Sequence, residues 1–420
     1  MAISLGGSDR FIPNRRSMEL AQFPQNQDLS SIRKRKYTES LTEAIFPFYS
    51  EKVLHHTPAV KRFKLLQEPS LNWEFSKNPF EIVEMAGESI CDFYARPFDF
   101  WQNRMVFAWN DKVLCKKLTE PQEKIQELGS IENTIYSIKV NKINNWVGIG
   151  NKAMRFHVFD FEAQKMHSPI DISSQEKPGW LRCISWRSHD NPQEVALGSD
   201  HQVVHIDLRQ PSSISNMKEV SSCELACAVE WNKEANLIAV GDNQNQMKVF
   251  DIRKDEIHQP LYEVTYNAAV KALKWRPGVK NTLMVGTGTS DKGMYLLDVD
   301  QKKEICRKIT SSQICSLEWV DERHIVLGTG YGAASPLSLW IYDQARSELI
   351  DRQYAKFFFN GRVLNLSLES RIREKILCAH YAEKSQAFLG FWKVKDLSFS
   401  EKEKSISEKK DAFKRGSEIR

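Results

Sequence analysis

Ala272-Leu273-Lys274-Trp275 is followed by Leu283-Met284-Val285-Gly286 and then by Leu297-Asp298, and the spacing of these three short runs decides the fold. The first run alternates apolar and polar residues, as a strand with one buried face does. The same unit recurs through the chain. Cys183-Ile184-Ser185-Trp186, Ala228-Val229-Glu230-Trp231 and Ser316-Leu317-Glu318-Trp319 repeat it, with tryptophans 44 or 45 residues apart. The second strand also ends in small residues in Val195-Ala196-Leu197-Gly198 and Leu237-Ile238-Ala239-Val240-Gly241. An apolar residue followed by Asp closes the third strand in Phe159-Asp160, Ile206-Asp207, Phe250-Asp251, Leu297-Asp298 and Tyr342-Asp343, at intervals of 44 to 47 residues. Three strands and a linking fourth per period form the blade of a β-propeller. The strand alternation excludes a solenoid of helical pairs.

Working backward, Ile138-Lys139-Val140 falls in a second blade and Phe98-Asp99-Phe100-Trp101 in a first. Working forward, Val363-Leu364-Asn365-Leu366-Ser367-Leu368 leads to Leu389-Gly390-Phe391-Trp392 in a seventh. The expected fold is therefore all-β, a seven-bladed propeller over residues 81–395. Residues 1–80 are polar and punctuated by Pro13, Pro24, Pro47, Pro58 and Pro69, which predicts a mostly disordered arm. Residues 396–420 are dense in Lys, Glu and Ser and read as a charged tail that does not pack. The five repeat aspartates, Asp160, Asp207, Asp251, Asp298 and Asp343, are assigned to turns rather than chemistry.

The 420 residues carry a net charge of only +5, with 41% hydrophobic and 27% charged residues, an ordinary soluble composition that makes nucleic acid an unlikely partner class. The eight cysteines show no Cys-x-x-Cys pair and sit mostly in apolar runs, so they are read as reduced core residues, with no metal site and no cofactor. No run approaches the length of a membrane span, and no membrane partner is expected. The histidines are scattered, and neither a Gly-rich phosphate loop nor a Gly-x-Ser-x-Gly motif occurs, so the chain is expected not to be an enzyme.

The repeats also resemble a known family. Ala269-Val270-Lys271-Ala272-Leu273-Lys274-Trp275 with Gly286-Thr287-Gly288-Thr289-Ser290-Asp291-Lys292 resembles the fifth blade of the fizzy family, the WD-repeat activators and substrate adaptors of the anaphase-promoting complex. Ser312-Gln313-Ile314-Cys315-Ser316-Leu317-Glu318-Trp319 resembles the sixth, Gly361-Arg362-Val363-Leu364-Asn365-Leu366 the seventh, and Asp92-Phe93-Tyr94 the approach to the first. Asp9-Arg10-Phe11-Ile12-Pro13 is similar to the family's C-box, and the chain ends on Ile419-Arg420, like the family's Ile-Arg tail. The chain departs from the family pattern at Val83-Glu84-Met85-Ala86, at Trp186-Arg187, and at Gly241-Asp242-Asn243-Gln244-Asn245, and no Trp-Asp dipeptide occurs anywhere.

The resemblance implies a role for several residues. Asp9, Arg10, Phe11, Ile12 and Pro13, together with Ile419 and Arg420, would dock on a helical-repeat scaffold of the ligase. Two weak segments tethered to one body gain avidity. The D-box degron of a substrate would lie between the first and seventh blades, where Asp99 and, by a looser match, Glu383 would meet its arginine. The KEN degron would lie on one propeller face, with Arg362 meeting its glutamate and Asn243 and Thr289 bonding beside it. Asp99 and Glu383 also have a plain reading as solvated surface carboxylates, Arg362 as a rim charge, and the two terminal segments as disordered ends of no consequence. Thr57-Pro58 is a possible proline-directed phosphosite, at which added charge would alter docking, and Arg33-Lys34-Arg35-Lys36 is consistent with residence in nucleus and cytoplasm. The implied partners are ligase subunits and D-box or KEN-box substrates. The competing interaction-class reading is a scaffold or inhibitor that occupies the ligase without delivering substrate.

Overall fold

The computed structural model describes residues 73–396, apart from 77, 86–90, 102, 119–123, 174–178, 188–191, 210–216, 233–235, 255–257, 331–334, 355–360, 371–373 and 384–385. These residues form seven antiparallel sheets, so the propeller expected from the tryptophan period is the fold. The fifth blade shows the pattern: Val270–Trp275 is innermost, followed outward by Thr282–Thr287, Gly293–Asp298 and Lys303–Ile309. The other innermost strands are Phe98–Trp101, Ile135–Asn141, Leu181–Trp186, Ala226–Trp231, Ile314–Trp319 and Arg362–Ser370.

The apolar core is divided into seven clusters, one at each junction between neighbouring blades. A sheet with both faces covered needs small residues where the next blade approaches, which explains the glycine near the end of the second strand in blades two to six. A Cβ on Gly241 would lie 2.4 Å from the Val270 carbonyl oxygen of the next blade, and one on Gly328 would lie 2.5 Å from Val363 Cγ1. The repeating tryptophans stitch the same junctions. The indoles of Trp186, Trp275 and Trp319 donate to the carbonyls of Lys139, Glu230 and Lys274, each on the innermost strand of the preceding blade. The repeat aspartates cap turns. Asp160 accepts from the Glu162 and Ala163 amides, Asp207 from Arg209, Asp251 from Arg253, Asp298 from Gln301 and Asp343 from Ala345.

The innermost strands share a defect. In blades two to seven the register slips by one residue near the start, at Tyr136, Arg182, Cys227, Lys271, Cys315 and Leu364. A bulge re-aims its extra side chain. Lys271 Nζ donates to the Leu364 carbonyl across 2.8 Å, from the fifth blade to the seventh, which places both bulges at the central channel.

The seventh blade closes the ring with strands from the other end of the chain. Trp73–Phe75 pairs with the end of Gln386–Asp396, and Glu81–Met85 pairs with its beginning. The first strand thus starts eight residues before the expected arm boundary. Trp73 is held further by its indole, which donates to Asp321 of the sixth blade at 2.6 Å, and by Lys375, whose ammonium lies 5.1 Å above the ring. Glu81 bridges to Lys116 of the first blade at 3.0 Å, in a largely buried pair.

Candidate functional site

Strand direction alternates within a blade, so the start of each innermost strand and the turn between second and third strands share one end of the propeller. Arg362 opens the innermost strand of blade seven. Asn243 lies in the second turn of blade four and Thr289 in that of blade five. These three residues therefore lie on one face, along with the turn of blade seven at which Glu383 pairs with Gln386.

On that face Thr289 Oγ1 donates to Gln313 Oε1 at 2.8 Å. Gln313 was not singled out from the sequence, yet it occupies in blade six the position that Arg362 occupies in blade seven, one residue ahead of Ile314 and Val363 respectively. Aligning the repeats strand by strand would have found it. The Asn243 amide donates to the Leu225 carbonyl at 3.2 Å, and its side-chain oxygen is buried without a partner among the described residues. Arg362 Nη2 donates to the Cys91 carbonyl at 3.0 Å, and its guanidinium carbon lies 5.9 Å from the Phe93 ring centre.

The segment Cys91–Arg96 crosses the channel beneath this face. Tyr94 lies over Arg182 of blade three at 5.5 Å. Arg96 donates to the carbonyls of Cys227 and Lys271 in blades four and five, at 3.1 and 3.0 Å. Asn365 of blade seven donates to the Ala95 carbonyl. Phe93 sits 4.2 Å from the buried Lys271 ammonium. Burial pushes the Lys271 pKa down to about 7; Cys315 and, less, Cys227 oppose it, and the Arg96 and Arg362 charges add to it.

Asp99 was expected on the wall of an open crevice between blades one and seven. It lies at that junction but inside it, only 3% exposed. Its carboxylate accepts from Ser367 Oγ of blade seven at 2.5 Å and from the Val140 amide of blade two at 3.0 Å, and it pairs with Lys139 at 3.0 Å. Burial alone would raise its pKa. The Lys139 and Lys142 charges and the two hydrogen bonds outweigh that and hold it at about 2. Asp99 thereby ties three blades together.

Asp9 to Pro13, Thr57, the basic run at residues 33–36, Ile419 and Arg420 lie outside the described residues. Among the described residues no group of His, Cys, Asp and Glu is arranged to hold a metal ion, and no helix is long and apolar enough to cross a membrane.

Residues 229–322 match the family model described as the anaphase-promoting complex subunit 4 WD40 domain. Meiotic fizzy-related protein 1 of Schizosaccharomyces pombe is 24% identical over 276 residues, covering 65% of this chain and 62% of that protein. Anaphase-promoting complex subunit cdc20 of Dictyostelium discoideum is 23% identical over 312 residues, covering 72% and 58%. APC/C activator protein CDH1 of Saccharomyces cerevisiae is 31% identical over 163 residues, covering 38% and 27%. The chain therefore spans less than two thirds of the length of these three relatives. A chain in the crystal structure of the mitotic checkpoint complex superposes with a TM-score of 0.64 at 22% identity, over 83% of this chain and 98% of that one, a likeness of fold. With its propeller, its strand register and these relatives, the chain is a homologue of the fizzy, Cdc20 and Cdh1 WD-repeat proteins.

Proposed function

We propose that this chain is a non-enzymatic adaptor that brings degron-bearing substrates to an anaphase-promoting ubiquitin ligase and activates it, acting in nucleus and cytoplasm. The observation that carries the reading is similarity to proteins named as an activator and as a subunit of that complex. The face bearing Asn243, Thr289, Gln313 and Arg362 supplies a cation beside amide and hydroxyl groups, a set suited to a short peptide with a carboxylate and polar neighbours. In this reading that face takes the KEN degron, and the junction of blades one and seven, with Glu383 at its rim and Asp99 behind it, takes the D-box.

Docking is assigned to Asp9–Pro13 and Ile419–Arg420. The strand at Trp73 pairs directly with Asp396, so both terminal segments depart from neighbouring points on the seventh blade. At no more than about 3.6 Å per residue, the tail reaches at most about 85 Å and the arm, out to Asp9, at most about 230 Å from there. Their docking sites on the ligase would have to lie within those distances of blade seven.

The test is reconstituted ubiquitination of a D-box substrate with purified ligase. Chain-dependent product is expected. Ligase binding without product would favour the scaffold or inhibitor reading, and absence of ligase binding would overturn both.

A further inference from the structure

Blade one ends its second strand differently from its neighbours. In blades two to six the glycine near the strand end is followed by a short polar residue, Asn151, Ser199, Asp242, Thr287 or Thr329, and all five are buried. Blade one has Ala108 in the glycine's place, packed toward blade two, and then Trp109, which is 40% exposed. Its strand pairs with the innermost strand only as far as Phe107, so Trp109 projects two residues past that pairing and is backed by Lys112 of the third strand. Strand alternation puts Trp109 on the side of the sheet that carries Met105 and Phe107. Those two pack with Met85, Ala387 and Leu389 of blade seven. The indole therefore stands where the junction of blades one and seven reaches the face that carries Arg362.

The Trp109 ring is open to a cation. Trp73, Trp180 and Trp231 each have one over the ring already, from Lys375 at 5.1 Å, Lys152 at 5.0 Å and Arg187 at 5.7 Å. Among the described residues Trp109 has no cation over its ring, no bond to its indole nitrogen and no aromatic neighbour. Lys112, its cross-strand partner, is paired with Glu127 at 2.7 Å. An accessible indole face attracts a cation, and the planar guanidinium of arginine can stack flat on it.

The same junction leaves an arginine without its expected partner. Asp99, the carboxylate assigned to the D-box arginine, is buried and already holds Lys139, Ser367 and the Val140 amide. A guanidinium arriving from solvent would have to break that tie to reach it. Resting on the reading that the D-box lies at this junction, we propose that Trp109 is the residue that selects the degron's arginine, by stacking its indole face on the guanidinium.

The test uses the full chain and a fluorescein-labelled D-box peptide, read by fluorescence polarisation, beside an analogue in which citrulline keeps the planar shape of the arginine without its charge. Trp109→Leu keeps an apolar side chain and removes the ring, whereas Trp109→Phe keeps a smaller ring. Both lie at an exposed position, and unchanged melting temperatures would establish that the fold is intact. Trp109→Leu should weaken the arginine peptide about fivefold and Trp109→Phe about twofold. The citrulline peptide should bind the native chain and Trp109→Leu within about twofold of each other, and a KEN-box peptide should bind both equally. An arginine peptide bound as tightly by Trp109→Leu as by the native chain would overturn the inference and leave the D-box reading standing. So would an equal loss for the arginine and citrulline peptides, or Trp109→Phe binding no better than Trp109→Leu. No binding of the D-box peptide to the native chain at about 1 mM would overturn the D-box reading itself, and the inference with it.

Discussion

Replacing Asp99 with asparagine keeps the side chain's size and one oxygen for the Val140 amide, but removes the charge that Lys139 and Ser367 hold in place. A carboxyl held at about 2 against an ordinary 3.8 has its ionised form favoured in the fold by about 2.4 kcal/mol, at about 1.36 kcal/mol per pH unit. The expected loss at pH 7 is therefore about 2 to 3 kcal/mol, because the asparagine amide offers no charge to the ammonium. The folded pKa lies below the unfolded one. Asp99 thus contributes its stability fully above about pH 4 and loses it as pH falls toward 2. Urea titration of the full chain at pH 7, 5 and 4, and at pH 3 where the protein remains folded, should show a constant gap between native and Asp99→Asn proteins down to about pH 4 and a narrowing gap below. Ser367→Ala should cost about 1 to 1.5 kcal/mol, and the double variant less than the sum, because both changes remove one bond. A gap under 0.5 kcal/mol at pH 7, or one that does not narrow below pH 4, would refute the assignment of Asp99 as the charged tie between blades. Charge reversal at this position reports on folding before it reports on any ligand, so D-box binding should be compared in the asparagine variant.

Lys271→Met should stabilise the propeller. Restoring the lysine pKa from about 7 to its ordinary 10.5 is equivalent to about 5 kcal/mol, set against the bond to Leu364 and the contact with Phe93, for a net gain of about 1 to 2 kcal/mol. Because the folded pKa is the lower one, the advantage should be fully present below pH 7 and vanish by pH 10.5; a lower melting temperature at pH 7 would count against it. Trp73→Ala should remove the indole bond to Asp321 and the packing under Lys375, costing about 2 to 3 kcal/mol and speeding proteolysis within residues 73–85, with equal cleavage rates as the contrary result. Arg362→Glu should abolish binding of a KEN-box peptide while a D-box peptide still binds, and equal loss of both would remove the separation of the two sites. Arg10→Ala should weaken ligase capture roughly ten- to a hundredfold, the loss of one charge-assisted contact, and removal of Ile419-Arg420 as well should cost more than either change alone. Unchanged co-purification of the double variant with the ligase would overturn the docking assignment.

What the sequence determined by itself was whatever repeats locally. The tryptophan period, the alternation of strands such as Ala272-Leu273-Lys274-Trp275 and the glycines before the second turn of the middle blades mark the repeat, because each strand pairs with its neighbour a few residues away and must bury one or both faces. Asn243, Thr289 and Arg362 came from the resemblance to the fizzy family, and their places in the strand order put them on one face of the propeller. Only the tertiary structure decided how the ring closes. Trp73–Phe75 shows little alternation, and its partner, Val394–Asp396, lies at the far end of the propeller. Tertiary structure likewise decided that Asp99 is a buried tie, because Ser367 is 268 residues away in sequence and 2.5 Å away in space. The bulges that bring Lys271 to the Leu364 carbonyl likewise matter only where distant blades meet. A periodic sequence specifies each blade through short-range pairing, but burial and charge balance at the junctions depend on side chains from two or three blades at once, which no local window contains.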